Sequence, residues 1–283
     1  MPGQHYVDLG MPEDEGEGAP ASLRGRLDAV YYAALLGGSE RALAARLGDR
    51  ATIYDPVLGA ASGLAAIQEH LGKLVRWLRD ARGSYVHRHE VIGVGRDVTE
   101  GLLSLGPADG PAVELPVACV MQRKKERQAD LRVYHATLPL GRWQAPRAVR
   151  RAEDDYVLAS DVAEHLAALR LGDADALVAS FESEGHLRDG AGRVHPREGG
   201  HGTLRQFYVA TLQNERGAND WVPIVRATAD DGRSCAVEYT TERLRGGETA
   251  PKEGLIVFER GDSGLFRSVR IYDELGLPGV GIR

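Results

Sequence analysis

Two stretches of this chain carry the same signals in the same order. The segment LRGRLDAVYYAALLGGSERALAARL reads as a helix, a break at Gly38 and a short second helix, and ASDVAEHLAALRLGDADALVASF repeats it around Gly172. Each runs into a short strand ending in aspartate, ATIYDP at Asp55 and GHLRDG at Asp189, and the offset between the aspartates equals that between the glycines. A third helix follows, built on Ile67, Leu71, Leu74, Val75 and Leu78 in one copy and on Leu204, Phe207, Tyr208 and Leu212 in the other. Four strand-like stretches then close each copy, at 84–94, 98–106, 111–123 and 128–137, and at 221–229, 233–245, 250–260 and 264–273. The last pair, LRVYHATLPLG and VRIYDELGLPG, aligns Tyr134 with Tyr272 at a slightly wider offset, so the second copy carries a small insertion, placed in the Gly192–Gly202 loop.

Repetition at this period predicts two copies of one structural unit. Residues 1–21, crowded with Gly, Pro, Asp and Glu, read as a flexible N-terminal tail. Residues 22–140 form the first domain, 141–155 (GRWQAPRAVRRAEDD) a linker, and 156–283 the second domain. Three helices followed by antiparallel strands is an α+β layout. The sheet must curl over the helices to bury one face, which gives a cone with a cavity at its open end.

Composition narrows the function classes. A net charge of −6 offers no basic stripe for phosphates, so nucleic acid is not an expected partner. The Arg123–Lys124–Lys125 run and Arg150–Arg151 read as solvated strand end and linker. No apolar run approaches the roughly 18–20 residues of a membrane helix. The opening residues lack the pattern of a signal peptide. Cys119 and Cys235 are the only two cysteines, too few for a disulfide framework or a zinc site, and a reducing, cytoplasmic location is expected. No Gly-rich phosphate loop, G-x-S-x-G elbow or C-x-x-C occurs, so the chemistry is expected to need no cofactor.

Candidate site residues follow from periodicity. Helix one places Leu27, Val30, Tyr31, Ala34 and Leu35 on one stripe, which turns the Tyr31 phenol inward. Strand alternation puts Ile53 and Asp55 on one face. A carboxylate in an apolar cavity is a usable general base, and a buried phenol beside it can donate to a developing oxyanion. The plainer reading is that Asp55, before Pro56, closes a turn and Tyr31 is core. In the second copy His165 takes the place of Tyr31 and Asp189 that of Asp55, either as an acid/base pair or as a hydrogen-bonded core pair. His186, His195 and His201 lie near Asp189 in sequence, but their spacing fits no ligand pattern and no metal is expected.

The segment VYYAALLGGSERALAARLGDRATIYDPVLGAASGLAAIQEHL resembles the SnoaL-like polyketide cyclases of the nuclear-transport-factor-like superfamily, the steroid Δ-isomerases and the polyether epoxide hydrolases. The likeness covers residues 23–140 well and 157–275 more weakly. It implies the cystatin-like cone, a proton-moving role for Asp55 and a carbonyl-polarising role for Tyr31. The isomerases carry a second acid on the penultimate strand, where the alignment places Ala118. His87 and His89, read as sharing one face of SYVHRHEV, and His135 are possible substitutes, with Glu90 on the opposite face. Two functions follow. One is a cofactor-free acid/base enzyme of natural-product biosynthesis, acting on a hydrophobic, oxygenated polyketide-type molecule by cyclisation, isomerisation or epoxide opening. The other is a non-catalytic ligand-binding or interaction protein built as an internal pseudo-dimer. Relatives of this kind pair through their sheets, so the fused chain is expected to be monomeric. The first pocket is expected open, with small residues Gly59, Ala60, Ala61 and Gly63 at its mouth. The second is expected to be filled by Phe207, Tyr208 and Trp221, with Arg193, Arg197 and Glu198 on the loop nearby.

Overall fold

The computed structural model describes residues 31–106, 112–123, 129–140, 156–214, 221–243 and 252–273. The tail, Leu27, Val30 and the linker fall outside them. The first half runs α1 (Tyr31–Leu36), α2 (Glu40–Leu47), β1 (Thr52–Asp55), β2 (Gly59–Ser62), α3 (Leu64–Asp80), β3 (Ser84–Gly93), β4 (Arg96–Leu105), β5 (Val113–Arg123) and β6 (Ala129–Tyr134). The second half runs α4 (Ser160–Leu171), α5 (Ala174–Ala179), β7 (Phe181–Arg188), β8 (Val194–Pro196), α6 (Leu204–Asn214), β9 (Trp221–Asp230), β10 (Ser234–Arg243), β11 (Lys252–Arg260) and β12 (Phe266–Ile271).

The two sheets have the same topology, β2-β1-β6-β5-β4-β3 and β8-β7-β12-β11-β10-β9. In each, the aspartate-bearing strand lies parallel to the last strand, with Ile53 opposite Leu131 and Leu187 opposite Val269. The remaining neighbours are antiparallel. The chain is thus an α+β protein of two tandem cones. The short strands β2 and β8 were not expected. Gly59 to Ala61, read from sequence as the rim of a cavity, instead pair with Asp55 to Ile53.

The helix breaks have the same cause in both halves. Gly38 and Gly172 stand at φ 71° and 72°, the left-handed conformation in which a helix ends most easily on glycine. Helix α3 is the longest element of the first half, and its spacing buries Ile67, His70, Leu71, Leu74 and Leu78 along one side. That side packs with α1, α2 and the concave face of the sheet into one apolar core. The second cone has its own core, rich in Phe181, Phe258, Phe266 and Tyr208.

The convex faces of the two sheets meet. Val91, Val98, Ala118, Val120 and Tyr134 of the first pack against Ala229, Ala236, Leu255, Val257 and Tyr272 of the second. At Gly93 a Cβ would come within 2.9 Å of Ala229 Cα, so glycine is what lets β3 and β9 cross so closely. Buried charge joins the sheets reciprocally. Glu100 receives Arg270 at 2.9 Å and the Tyr272 hydroxyl at 2.8 Å. Glu238, its counterpart in the second half, receives Arg132 and the Tyr134 hydroxyl, the latter at 2.7 Å. The symmetry breaks at Arg96, whose Nε lies 3.0 Å from Glu238, because Ser234 stands at the equivalent position of the second half. No helix among the described residues is long and apolar enough to cross a membrane.

Candidate functional site

Strand β1 alternates as its sequence implies. Ile53 and Asp55 are buried while Thr52 and Tyr54 are half-covered. Pro56 ends the strand by removing a donor, and the chain turns over the aspartate. Asp55 Oδ1 accepts from the backbone N–H of Val57 at 2.8 Å and of Leu58 at 2.7 Å. The turn-closing role is therefore real, and it occupies one carboxylate oxygen. No other hydrogen bond to Asp55 occurs among the described residues, although the residue is only 2% exposed. Asp55 lines a recess of about 100 Å³ walled by Tyr32, Val57, Leu58, Leu74 and Trp77, with Lys73 and His135 as the other polar members. A polar group on a mostly apolar wall is the usual composition of a small-molecule site.

Tyr31 is fully buried, and its hydroxyl has no hydrogen-bond partner among the described residues. Burial, with the Asp55 charge nearby, holds its phenol well above the ordinary tyrosine range, so it stays protonated. The tyrosine on the recess wall is the next one. Tyr32 packs edge-on to Tyr31 at 5.1 Å and stacks on Tyr85 at 5.2 Å. His70 is also buried, and its Nε2 also lacks a partner. Burial holds this imidazole below its ordinary range, against the Asp55 charge, which acts the other way. An unpaired buried polar group costs about 1–3 kcal/mol, so two of them beside one carboxylate is an unusual arrangement for a finished core.

The histidines proposed as substitutes separate. His135 lies on the recess, with its Nδ1 3.0 Å from the Ala136 carbonyl. His87 is exposed beside Glu90 at 3.2 Å, and His89 reaches across to Ser234 Oγ at 3.0 Å, at the junction of the two sheets. The cause is a β-bulge: the register shifts between His87 and His89, so strict alternation fails there and Glu90 is not opposed to His87. The position assigned to the missing second acid is corrected too. Ala118 belongs to the packing between sheets, and its neighbour Cys119 faces the cone. Sequence reading missed Tyr32, His70, Lys73 and Trp77. The spacing His70, Leu74, Trp77 on α3, one turn at a time, was the signal available for two of the recess walls, Leu74 and Trp77, and for the burial of His70 on the same side.

In the second cone the expected His165–Asp189 pair does not form. His165 is enclosed by Phe181, Phe258, Phe266 and Tyr208. The Ser180 hydroxyl donates to the Leu177 carbonyl at 2.7 Å, so it accepts from His165 Nδ1 at 2.8 Å. That leaves Nε2 to accept from the Tyr208 hydroxyl at 3.3 Å. Burial pushes the His165 pKa down to about 3, and the ring is neutral. Asp189, fully buried, accepts from the N–H groups of Ala191 and Arg193 at 3.0 Å each, from Arg193 Nε at 2.8 Å and from His195 Nε2 at 3.1 Å. Burial opposes its ionisation, but the His195 and Arg193 bonds outweigh burial and hold the carboxyl below its usual range. Its histidine partner is thus His195, supplied by the inserted loop. Arg193 covers this aspartate, and Arg197 donates to the Phe181 carbonyl. Phe207 and Tyr208 are buried in the second half, whereas the Trp221 side chain lies outside what is described. No group of three or more His, Cys, Asp or Glu suited to a metal ion occurs among the described residues.

No protein-family model matches this chain, and no curated protein matches it. Solved structures similar to it include an epoxide hydrolase/cyclase-like enzyme of pyran ring formation in the polyether salinomycin, at 21% identity and TM-score 0.33, covering 40% of this chain and 89% of its own. A polyketide cyclase candidate from Sinorhizobium meliloti is similar at 22% identity and TM-score 0.32, covering 40% of this chain and 94% of its own. A SnoaL-like polyketide cyclase candidate from Shewanella putrefaciens is similar at 13% identity and TM-score 0.32, covering 43% and 90%.

Proposed function

We propose that this chain is a cofactor-free acid/base enzyme acting on a hydrophobic, oxygenated small molecule of polyketide type, with Asp55 of the first cone as the proton-moving group. The observation that carries this reading is the divided carboxylate. Oδ1 is anchored by two backbone donors, while Asp55 lines a mostly apolar recess and its carboxylate has no further hydrogen bond among the described residues. An anchored carboxylate is held in one orientation, and a group poised to take a proton from a ligand needs that fixed geometry. Tyr31, kept protonated by burial, is the donor that would stabilise oxygen charge as the proton leaves carbon. The neighbouring sheets serve as each other's partner, so the chain acts as its own dimer and is monomeric.

The recess in its present form is smaller than the roughly 300–1,000 Å³ of typical ligand pockets. That size is the one observation favouring the rival reading, a binding or interaction protein without catalysis. Deuterium uptake from solvent separates the two without knowledge of the natural substrate. The chain is incubated in D₂O with a panel of cyclic ketones and β-diketones, and mass spectrometry reads exchange at the carbon next to the carbonyl. Exchange above the buffer rate that disappears in Asp55→Asn is expected. A panel with no enzyme-dependent exchange, or an equally active Asp55→Asn chain, rejects the assignment.

A further inference from the structure

His70 stands out because the proposed reaction leaves it without work. It is 6% exposed, on α3, and its Nε2 has no hydrogen-bond partner among the described residues. Its place on the helix is informative. Leu74 and Trp77, one and two turns further along the same side, both line the Asp55 recess. His70 therefore continues the recess-lining stripe one turn into the core. Tyr31 sits next to the recess-lining Tyr32, is fully buried, and has an unpaired hydroxyl. Tyr31 and His70 pack in the one apolar core of the first cone or along its edge on α3, and both feel the charge of Asp55. Among the described residues Lys73, on the same helix, also acts on His70, in the opposite sense to Asp55.

Native interiors pair nearly all their buried polar atoms. Two unpaired ones behind a recess too small for most ligands have a common explanation in a ligand oxygen that arrives from outside. We propose that His70, through Nε2–H, gives a ligand oxygen its second hydrogen bond beside that of the Tyr31 hydroxyl. The ligand of the first cone then carries a carbonyl or enol oxygen on an otherwise apolar body. On this arrangement the recess deepens towards α3 when it fills. His70 remains neutral, because burial disfavours its charged form, and it polarises the oxygen by hydrogen bonding without releasing a proton. It makes up for the acid that β5 does not provide. This inference rests on the first cone being the small-molecule site, and it goes beyond that reading by assigning a second donor and the oxygen it reads.

The experiment compares acetophenone with ethylbenzene, two molecules of nearly one shape that differ by the carbonyl oxygen, titrated into the full-length chain by NMR. Acetophenone is expected to bind about tenfold more tightly, the equivalent of one buried hydrogen bond made rather than missed. The His70 ring nitrogen signals should move with acetophenone and stay still with ethylbenzene. His70→Leu should fold, with an unchanged or raised Tm, and lose the preference; His70→Gln, which keeps an N–H near the same place, should retain most of it. A His70→Leu chain with the full preference overturns the inference, and so do ring signals unmoved by acetophenone or a wild-type chain that binds neither probe. The preference is read independently of turnover. Deuterium exchange lost in Asp55→Asn together with a silent His70→Leu leaves the enzyme standing and removes His70. An intact oxygen preference without any exchange removes the enzyme and keeps the slot.

Discussion

Asp55 is the last residue of β1 and Asp189 the first after β7, and both close similar turns, yet among the described residues two donors converge on the first and four on the second. The same contrast holds on the first helix of each half. Tyr31 is buried with its hydroxyl unpaired, while His165 at the corresponding place has both nitrogens engaged, by Ser180 and Tyr208. One fold has been completed differently in its two copies. Where the polar groups at the head of a cone have protein partners, as His165 and Asp189 do although Thr211 Oγ1 on α6 does not, little is left for a ligand to gain. Where partners are missing, the free energy of pairing is still available for binding or for a transition state.

The largest expected effect that tests this contrast is catalytic. Asp55→Asn should lower ketone exchange by about 10²–10⁴-fold, the usual contribution of a general base, while Asp189→Asn leaves the rate unchanged. The reverse pattern would move the working site to the second cone. Next comes stability. Glu238→Gln strands Arg132 and Arg96 in the sheet junction and should cost about 3–5 kcal/mol in urea unfolding. Glu100→Gln should cost less, because Arg270 keeps Glu259 at 2.7 Å. Equal losses would mean that the extra arginine adds nothing.

A smaller effect concerns pH. The folded pKa of His165, about 3, is below the unfolded value near 6.5, so the unfolded chain binds more protons between those limits. Its contribution to stability is whole above the unfolded value and is lost progressively as pH falls towards 3. His165→Gln should flatten the decline of Tm between pH 7 and 4 relative to wild type, and an unchanged slope would show that this ring is not its source. The smallest effect is expected for two tyrosines. Tyr208→Phe deletes the bond to His165 and should cost about 1 kcal/mol, whereas Tyr31→Phe deletes an unpaired hydroxyl and should leave the unliganded fold as stable or more so. Comparable losses would show that Tyr31 has a partner after all.

The repeat, the succession of helices and long strands along each copy and the inward face of Asp55 were legible because each rests on a period: close to half the chain for the copies, about 3.6 for the helices and 2 for the strands. What sequence could not show was where a period slips. The bulge between His87 and His89 sent those side chains to solvent and to the sheet junction, whereas β5 keeps one register throughout and simply turns Ala118 to the junction and Cys119 to the cone. Nor could spacing choose between Tyr31 and Tyr32 for the recess wall, since adjacent residues at the end of a buried stripe are both covered. The His195–Asp189 contact depends on how the inserted loop folds back over β7, which no local pattern encodes.

Arg96 and Ser234 occupy equivalent positions in the two halves, and only the first contributes a cation to the junction between sheets. In an assembly of two identical subunits one codon writes both sides of the axis, so a change that suits one side is imposed on the other. Joining the copies in one reading frame removes that obligation. A residue near the axis can be tried once, kept on the side where it helps, and left out where a second arginine would only crowd the first. The same freedom extends to the interiors, where one copy can pair its aspartate with a histidine and an arginine while the other leaves buried polar atoms unpaired among the described residues.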